Sequence, residues 1–260
     1  MAQQFGDVSV EVGEDHVAEV EIHRPPNNFF DVKLIREIAE AYSTLDADPA
    51  CRAIVLCSEG KHFCAGADFN RQSDAEVLPQ EGAASLYREA VRLFASELPV
   101  VAAVQGAAVG GGLGLACSAD FRVAAPEARF AANFTRLGFH QGFGLSVTLP
   151  LIVGHQRSLD LLYTGRRVPG DEARAMGLCD RLVALADVRP AARALAGEIA
   201  GSAPLALRSV RQTMRGHLAA EVAAITDRED AEQVRLRSTA DFAEGTRASF
   251  ERRTPVFTAR

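Results

Sequence analysis

The chain has 260 residues, 48% hydrophobic and 24% charged, so it is long enough to bury one large core without disulfides or metal. Its formal net charge of −6 argues against a nucleic-acid partner, because nucleic-acid-binding proteins usually present a basic face. The five cysteines are odd in number and lack C-x-x-C spacing, so we expect buried, reduced thiols rather than a disulfide framework or a metal site.

The N-terminal segment is acidic and lacks the apolar run of a signal peptide, so we expect a cytoplasmic protein. Residues 98–117 carry no charge and are long enough to cross a membrane. Five glycines crowd this stretch, and each costs about 1 kcal/mol relative to alanine within a helix. We therefore interpret it as a strand, a turn and a buried helix, and we predict no membrane association.

Short strands alternate with helices through the first half of the chain. The strands show β-branched alternation or continuous apolar runs, and the helices show apolar residues at helical spacing. This alternation predicts an α/β core with parallel strand pairing. The predicted elements are a hairpin at 8–12 and 17–22, a helix at 34–45, a strand at 53–57, a helix at 82–97, a strand at 99–104, a helix at 112–118 and a strand at 121–125.

The pattern becomes helical after Asp171. The segment from Asp171 to Met176 predicts a helix that ends at Gly177, because glycine commonly terminates helices. Further helices are predicted at 187–200, 204–219 and 220–239. We divide the chain into an α/β core at residues 1–200 and a helical C-terminal region at residues 201–260.

Two glycine-containing turns follow buried strands. The segment KHFCAGAD at 61–68 follows the strand at 53–57, and the triplet GGG at 110–112 follows the strand at 99–104. Ligands bind at the carboxyl ends of parallel strands, and small residues let a ligand approach backbone N–H groups closely. Two converging N–H groups would form an oxyanion hole. Each glycine run could alternatively be only a tight turn. The sequence contains no P-loop and no G-x-S-x-G motif, so a nucleotide-binding P-loop and a serine-hydrolase nucleophile turn are excluded.

These motifs resemble the enoyl-CoA hydratase/isomerase (crotonase) superfamily over nearly the whole chain. Each landmark is weak alone, but their order and spacing together make the resemblance specific. The landmarks are HRP at 23–25 with Asn27 and Asn28, HFCAGAD at 62–68, PVVAAVQG at 99–106 with the glycine triplet, Ala119–Asp120, VG at 153–154, LYTG at 162–165, the segment at 173–178 and FERRTPVF at 250–257.

The resemblance implies a crotonase-like spiral of ββα units with a helical C-terminal region that forms a homotrimer, often a hexamer built as a dimer of trimers. It implies an acyl-CoA substrate, with coenzyme A as part of that substrate and no prosthetic group or metal. The oxyanion donors implied by the family motif are the backbone N–H groups of Ala67 and Gly111. The residues implied to contact CoA are Arg24, Lys61, Ala65 and Asp68.

The chain departs from this family at its acid–base residues. A hydratase of the family uses two glutamates, and these positions hold Gly114 and Phe134 here. An aspartate that some relatives use falls at Gly142. Hydration needs a base to activate water and an acid to protonate the α-carbon, and glycine and phenylalanine supply neither. Standard hydratase activity is therefore doubtful.

His140 is the first candidate for the missing proton carrier, because it lies in a loop that lines the acyl pocket in relatives and imidazole titrates near neutral pH. A structural role for His140 is the alternative. Gln141 and Asn133 could orient a water or a carbonyl group. Three residues on the helix that roofs the pocket in relatives are interpreted as surface or packing residues: Tyr87, Arg88 and Glu89.

The leading hypothesis is an enzyme that acts on a CoA thioester through an oxyanion-stabilised enolate with non-standard acid–base residues. A decarboxylase or hydrolase of the same superfamily is the alternative, since loss of CO₂ itself generates an enolate. A non-catalytic acyl-CoA-binding protein is the third reading.

Overall fold

The computed structural model describes residues 3–68 and 82–260, with the side chains of 82–85 left aside. A seven-stranded sheet lies at the centre, in the order β1-β2-β3-β4-β5-β7-β10. Strands β1 to β3 pair antiparallel, and the pairs from β3 through β10 are parallel. Its strands are β1 (Gln3–Phe5), β2 (Val8–Val12), β3 (Val17–Ile22), β4 (Ala53–Ser58), β5 (Val100–Val104), β7 (Phe121–Ala124) and β10 (Arg181–Leu182).

A second, three-stranded sheet contains β6 (Ala107–Val109), β8 (Arg129–Ala131) and β9 (Arg167–Pro169). Strand β6 pairs parallel with β8, and β8 pairs antiparallel with β9. Strand β6 of this small sheet ends directly before the glycine triplet. The sequence analysis missed it because its strands are only three residues long, too short to show a period.

Helices cover both faces of the large sheet. The first face packs against the larger apolar cluster, which includes α1, and the second face packs against a smaller cluster that includes α7. The helices are α1 (Val32–Asp46), α2 (Gly82–Phe94), α3 (Gly111–Ser118), α4 (Leu145–Val153), α5 (His155–Thr164), α6 (Gly170–Met176), α7 (Val188–Ala200), α8 (Pro204–Arg215), α9 (Leu218–Arg237) and α10 (Ala240–Glu251).

The predicted α/β class and the parallel pairing are confirmed. Strand β4 is buried along its whole length, as its continuous apolar run predicted. Gly177 ends α6 in the left-handed conformation at φ +88°. All five cysteines are buried.

Two predicted helix boundaries are wrong. The helix predicted at 82–97 ends at Phe94, because Oδ1 of Asp46 accepts hydrogen bonds from Ser96 Oγ, Glu97 N and Leu98 N and pulls that segment into a turn. The second error is in the C-terminal region. The helices predicted at 204–219 and 220–239 break instead at 216–217, and Thr239 caps a further helix, α10, by accepting from Phe242 N.

Candidate active site

The two glycine-containing turns lie against each other. Cys64 forms an isolated parallel bridge with Ala108, where Cys64 N donates to Ala107 O at 3.0 Å and Val109 N donates to Cys64 O at 3.1 Å. A Cβ atom added at Gly112 would lie 2.2 Å from Cys64 O. Only glycine therefore fits at 112, and the two backbones are in direct contact.

We call the contact between the two turns at Cys64 and Ala108 the seam. Ala67 follows Cys64 on one side of the seam, and Gly111 follows Ala108 on the other. Gly66, directly before Ala67, has φ +95°, and a Cβ atom there would lie 2.9 Å from Val109 O. Gly111 is the first residue of α3, where backbone N–H groups have no partner inside the helix. Within residues 3–68 and 82–260, the N–H groups of Ala67 and Gly111 donate to no backbone or side-chain acceptor. Among these described residues, no internal acceptor competes with a ligand oxygen for either amide.

Aromatic rings pack against the glycines of α3. A Cβ atom at Gly111 would lie 2.2 Å from Cζ of Phe30, and one at Gly114 would lie 2.6 Å from Cβ of Phe143. Phe30 and Phe143 contact each other edge to face, with ring centroids 5.8 Å apart. Phe30 is also tied to the other turn, because its N–H donates to Gly66 O at 3.0 Å.

Gly114 and Phe134, where the family resemblance implies glutamates in a hydratase, lie in apolar surroundings. Phe143 fills the space beside Gly114, so a larger side chain could not be added there without displacing the ring. Phe134 is buried, and its ring packs edge to face on Phe139 at 5.4 Å. Its Cζ would lie 3.9 Å from a Cβ atom at Gly110, which places the ring beside the glycine triplet. Neither position supplies a proton donor or acceptor.

His140 lies half-buried in the loop between Phe139 and α4. Its Nδ1 is 2.7 Å from the carbonyl oxygen of Gln141, so Nδ1 carries the hydrogen and Nε2 keeps its lone pair when the ring is neutral. The side chain of Gln141 donates to Ser146 Oγ at 3.0 Å. The Oδ1 atom of Asn133 would lie 3.4 Å from a Cβ atom at Gly110, so this amide borders the glycine triplet.

The residues predicted to contact CoA differ in their surroundings. The Arg24 guanidinium forms ion pairs with Asp7 at 2.8 Å and Asp31 at 2.9 Å, so its charge is already balanced within the chain. Lys61 is exposed, and Asp68 is half-buried. Ala65 is half-buried, and its N–H donates to Asn27 O at 2.9 Å.

His62 and Asn28 brace this part of the site. Nδ1 of His62 accepts from Ala107 N at 3.1 Å, and burial lowers the pKa of this imidazole. Asn28 is fully buried and donates to Glu59 O and His62 O at 2.8 and 2.6 Å. Both side chains hold the turns in place.

The three residues named on α2 have packing and surface roles, as interpreted from the sequence. Tyr87 is 6% exposed and Arg88 is exposed. Glu89 forms ion pairs with Arg36 at 3.0 Å and Arg92 at 2.6 Å.

Glu229 on α9 is a buried carboxylate that the sequence analysis missed. It is fully buried and accepts from Gly144 N at 2.8 Å and Ser146 N at 3.0 Å. Burial raises the pKa of this carboxyl group, and the hydrogen bonds from Ser146 and Gly144 oppose that rise. Its place on a buried face with Val222, Thr226 and Gln233 is the signal that the sequence contained.

The described residues support neither a metal site nor a membrane-spanning helix. Their His, Cys, Asp and Glu side chains form no group of three that could hold a metal ion. Every helix within 3–68 and 82–260 is too short or too polar to cross a lipid bilayer.

Comparison with known proteins places this geometry in one family. The model of the family Enoyl-CoA hydratase/isomerase matches residues 13–260. A protein of Thermus thermophilus is 36% identical over 259 residues, which cover 95% of this chain and 100% of the relative. The crotonyl-CoA hydratase of Syntrophomonas wolfei is 35% identical over 198 residues, covering 75% of this chain and 76% of the relative.

Solved structures agree with this assignment. The crystal structure of an enoyl-CoA hydratase/isomerase from Pseudoalteromonas atlantica matches with a TM-score of 0.86 at 29% identity, over 97% of this chain and 100% of that chain. The fold, the glycine-lined seam and the match along the chain lead to one conclusion: this protein belongs to the enoyl-CoA hydratase/isomerase family.

Proposed function

We propose that this protein binds an acyl-CoA thioester and stabilises the enolate of its acyl group with the backbone N–H groups of Ala67 and Gly111. The observation that carries this proposal is the pairing of the two turns at the Cys64–Ala108 bridge, next to two amides that have no acceptor among the residues the structure describes. Donors of this kind stabilise the negative charge that develops on the thioester oxygen, and each contributes about 2.7–4 kcal/mol.

His140 is the proposed proton carrier of this site. Its Nδ1 hydrogen is held by the Gln141 carbonyl, which leaves Nε2 as the atom that can accept a proton. Gly114 and Phe134 offer no competing acid or base. Asn133, beside the glycine triplet, is the proposed group for orienting a carbonyl or a water.

Decarboxylation is the second candidate reaction, and the apolar surroundings of Gly114 favour it. In such a substrate the bond between the α-carbon and a carboxylate breaks, CO₂ leaves, and the electron pair moves onto the thioester oxygen. No base is needed to form this enolate, and one proton, from His140 or water, then returns to the α-carbon. Hydration requires both an acid and a base beside the substrate, and the apolar surroundings of Gly114 and the buried ring of Phe134 favour a reaction with less need of either.

Lys61 is the better-placed of the two proposed phosphate ligands for CoA. It is exposed, whereas Arg24 is balanced by Asp7 and Asp31 and would have to share its charge with a phosphate. Ala65 and Asp68 complete the proposed contact region beside Ala67. We also propose that the chain assembles as a homotrimer or hexamer, as the family resemblance implies.

The experiment is a product survey with a matched histidine control. The purified protein is incubated with crotonyl-CoA, a 3-enoyl-CoA, a malonyl-type CoA and a saturated acyl-CoA, and products are identified by mass spectrometry. His140→Ala is compared with His155→Ala, which alters an exposed histidine at the start of α5. We expect turnover of at least one thioester, weak or no hydration of crotonyl-CoA, and a loss of rate of about 10²-fold or more in His140→Ala alone.

Several outcomes would overturn parts of this proposal. Hydration of crotonyl-CoA at about 1–10 per second would contradict the predicted loss of hydratase activity. Equal rates for the two histidine variants would remove His140 from the chemistry. Tight binding of acyl-CoA without conversion of any substrate would leave a binding protein.

A further inference from the structure

One face of helix α9 contacts the loop at 139–146 at both of its ends. Glu229, Gln233 and Arg237 recur at intervals of four, which places them on the same side of the helix. Glu229 accepts from the N–H groups of Gly144 and Ser146 at 2.8 and 3.0 Å.

The next two turns of α9 contact the beginning of the same loop. Gln233 Nε2 donates to His140 O at 2.9 Å, and its Oε1 accepts from Arg237 Nη2 at 3.1 Å. The Arg237 guanidinium lies 5.9 Å from the centroid of the Phe139 ring. Both ends of the loop therefore have partners on α9, through Phe139 and His140 at its beginning and through Gly144 and Ser146 at its end.

Tyr87 on α2 also contacts this loop, and we call its contact together with those of Glu229, Gln233 and Arg237 the clamp. Its hydroxyl would lie 2.1 Å from a Cβ atom at Gly142, and Gln233 Nε2 would lie 2.6 Å from that same atom. Gly142 is therefore wedged between a tyrosine hydroxyl and a glutamine amide. A side chain at 142, such as the aspartate expected there in some relatives, would displace both groups.

The clamped loop holds Phe143 in a backbone conformation that it would not adopt freely. Its φ of +62° lies in the left-handed region, which is unfavourable for a bulky L-residue. Such a conformation persists only where the surrounding contacts impose it. Here the hydrogen bond from Gly144 N to Glu229 fixes the peptide that follows Phe143.

The Phe143 ring connects the loop to the oxyanion turns. It packs on Gly114 of α3 and edge to face on Phe30, and Phe30 packs on Gly111. The chain of contacts thus runs from Glu229 through Phe143 and Phe30 to one of the two proposed donors. Close-packed side chains transmit displacement along such a chain because the interior has little free volume.

We infer that Glu229 and Gln233 are positioning residues, which act through the 139–146 loop and the Phe143–Phe30 pair to hold the Gly111 amide in place for the thioester oxygen. This inference rests on the proposed function for its meaning in catalysis. The mechanical coupling can be measured without any substrate.

The first measurement is hydrogen–deuterium exchange by mass spectrometry on the full-length protein. Glu229→Gln keeps one acceptor oxygen, and Gln233→Ala removes the donor to His140; both are milder than Glu229→Ala. The control is Asp227→Asn, which alters an exposed acidic residue on the same helix. In the first two variants we expect exchange about tenfold faster at 139–146 and also at 110–114, where the Leu113 and Gly114 amides bond to Gly110 O.

The second measurement compares two ligands that differ only at the carbonyl. Butyryl-CoA carries the thioester oxygen, and S-butyl-CoA, a thioether, lacks it. The wild-type protein is expected to prefer the thioester by about tenfold, since two hydrogen bonds to the carbonyl favour it. Glu229→Gln should reduce this preference to about threefold or less while binding of the thioether changes little. A general loss of structure would weaken both ligands equally.

The outcomes separate the two proposals. Faster exchange confined to 139–146, with 110–114 unchanged, overturns the positioning inference. An unchanged thioester preference in Glu229→Gln also overturns it. If the wild-type protein binds neither ligand, the proposed function fails, and the exchange data alone then decide whether α9 holds the 110–114 segment.

Discussion

Phe143 occupies the space into which a side chain at residue 114 would project, with its Cβ only 2.6 Å from the position of a Cβ atom on Gly114. The space beside residue 114, where the family resemblance implies a glutamate in a hydratase, is therefore filled by an aromatic side chain. Introducing a carboxylate at 114 by a single substitution would produce a clash with Phe143. A carboxylate side chain at 114 would fit only if residue 143 were replaced by a smaller one as well.

Substitution of Gly114 by alanine should lower the free energy of unfolding by about 1–3 kcal/mol, because the added methyl group overpacks against Phe143. Urea denaturation measures this change. The matched control is Gly197→Ala in α7, where nothing lies within 4 Å of the added Cβ atom. That control should instead raise stability by about 0.5–1 kcal/mol.

The clash can be tested with a double variant. Phe143→Ala alone should cost about 3–5 kcal/mol through the cavity it leaves. Combined with Gly114→Ala, the total cost should be smaller than the sum of the two single costs, since the methyl group then has room. Additive costs would mean that Phe143 and Gly114 do not compete for the same space.

Replacing Ala67 by proline should remove one proposed oxyanion donor, since proline has no backbone N–H. The turnover of whichever acyl-CoA the protein converts should fall about 10²–10³-fold. Ala67→Ser keeps the N–H and is the control, with a change of less than about tenfold expected. Circular dichroism checks that the proline variant is folded; a folded variant with normal turnover would contradict the role of this amide.

Helix α8 directs charged side chains inward and apolar side chains toward solvent, and this arrangement predicts self-association. Its arginines face inward, with Arg211 and Arg215 on Asp120 at 3.2 and 2.9 Å, while Val210 and Met214 are 60% and 68% exposed. An exposed apolar stripe of this kind marks an interface. We propose a second copy of this chain as its partner, consistent with the trimer that the family resemblance implies.

Substituting Val210 and Met214 by aspartate should therefore shift the protein toward monomer in light scattering coupled to gel filtration. Ser43→Asp with Thr44→Asp adds the same charge to an exposed part of α1 and should leave the assembly unchanged. Intact assembly of the α8 variant would place the interface elsewhere.

The C-terminal tail should detach in acid. Glu244 accepts hydrogen bonds from Arg253 Nη2 and Val256 N at 2.9 Å, and the hydrogen bond with Arg253 holds the pKa of this carboxyl well below its ordinary value of 4.5. A lowered pKa in the folded state stabilises the fold above the unfolded value. That stability is lost as the pH falls from about 4.5 through the lowered pKa.

Glu244→Gln removes this titration. The stability difference between wild type and Glu244→Gln should be largest near pH 7 and should shrink toward about pH 3 in urea unfolding. Glu221→Gln, at an exposed position of α9, serves as the control. A difference that does not vary with pH would show that Glu244 does not stabilise the fold through its charge.

The sequence predicted what depends on periodicity and on short motifs. Strand β4 and helix α1 follow from their apolar patterns, and the contact between the two turns agrees with the glycine-containing motifs, whereas Ala67 and Gly111 are named as donors only through the family resemblance. The clamp on the loop could not be predicted in this way. It depends on which face of α9 meets a loop about 85 residues earlier, a long-range contact that local patterns do not specify.

The small sheet escaped prediction for a related reason. Its strands are stabilised by pairing between distant segments, such as β6 with β8, rather than by their own composition. Predicted helix ends failed where a side chain from elsewhere captures the terminal groups, as Asp46 does at 96–98.

The contact between Gly112 and the Cys64 carbonyl also limits how this protein can diversify. With no free volume between the two backbones, an inserted or enlarged residue on one side must shift the other. New substrate preferences are therefore expected to arise from exchanges in the 139–146 loop and on its α9 support, while the seam itself accepts almost no variation.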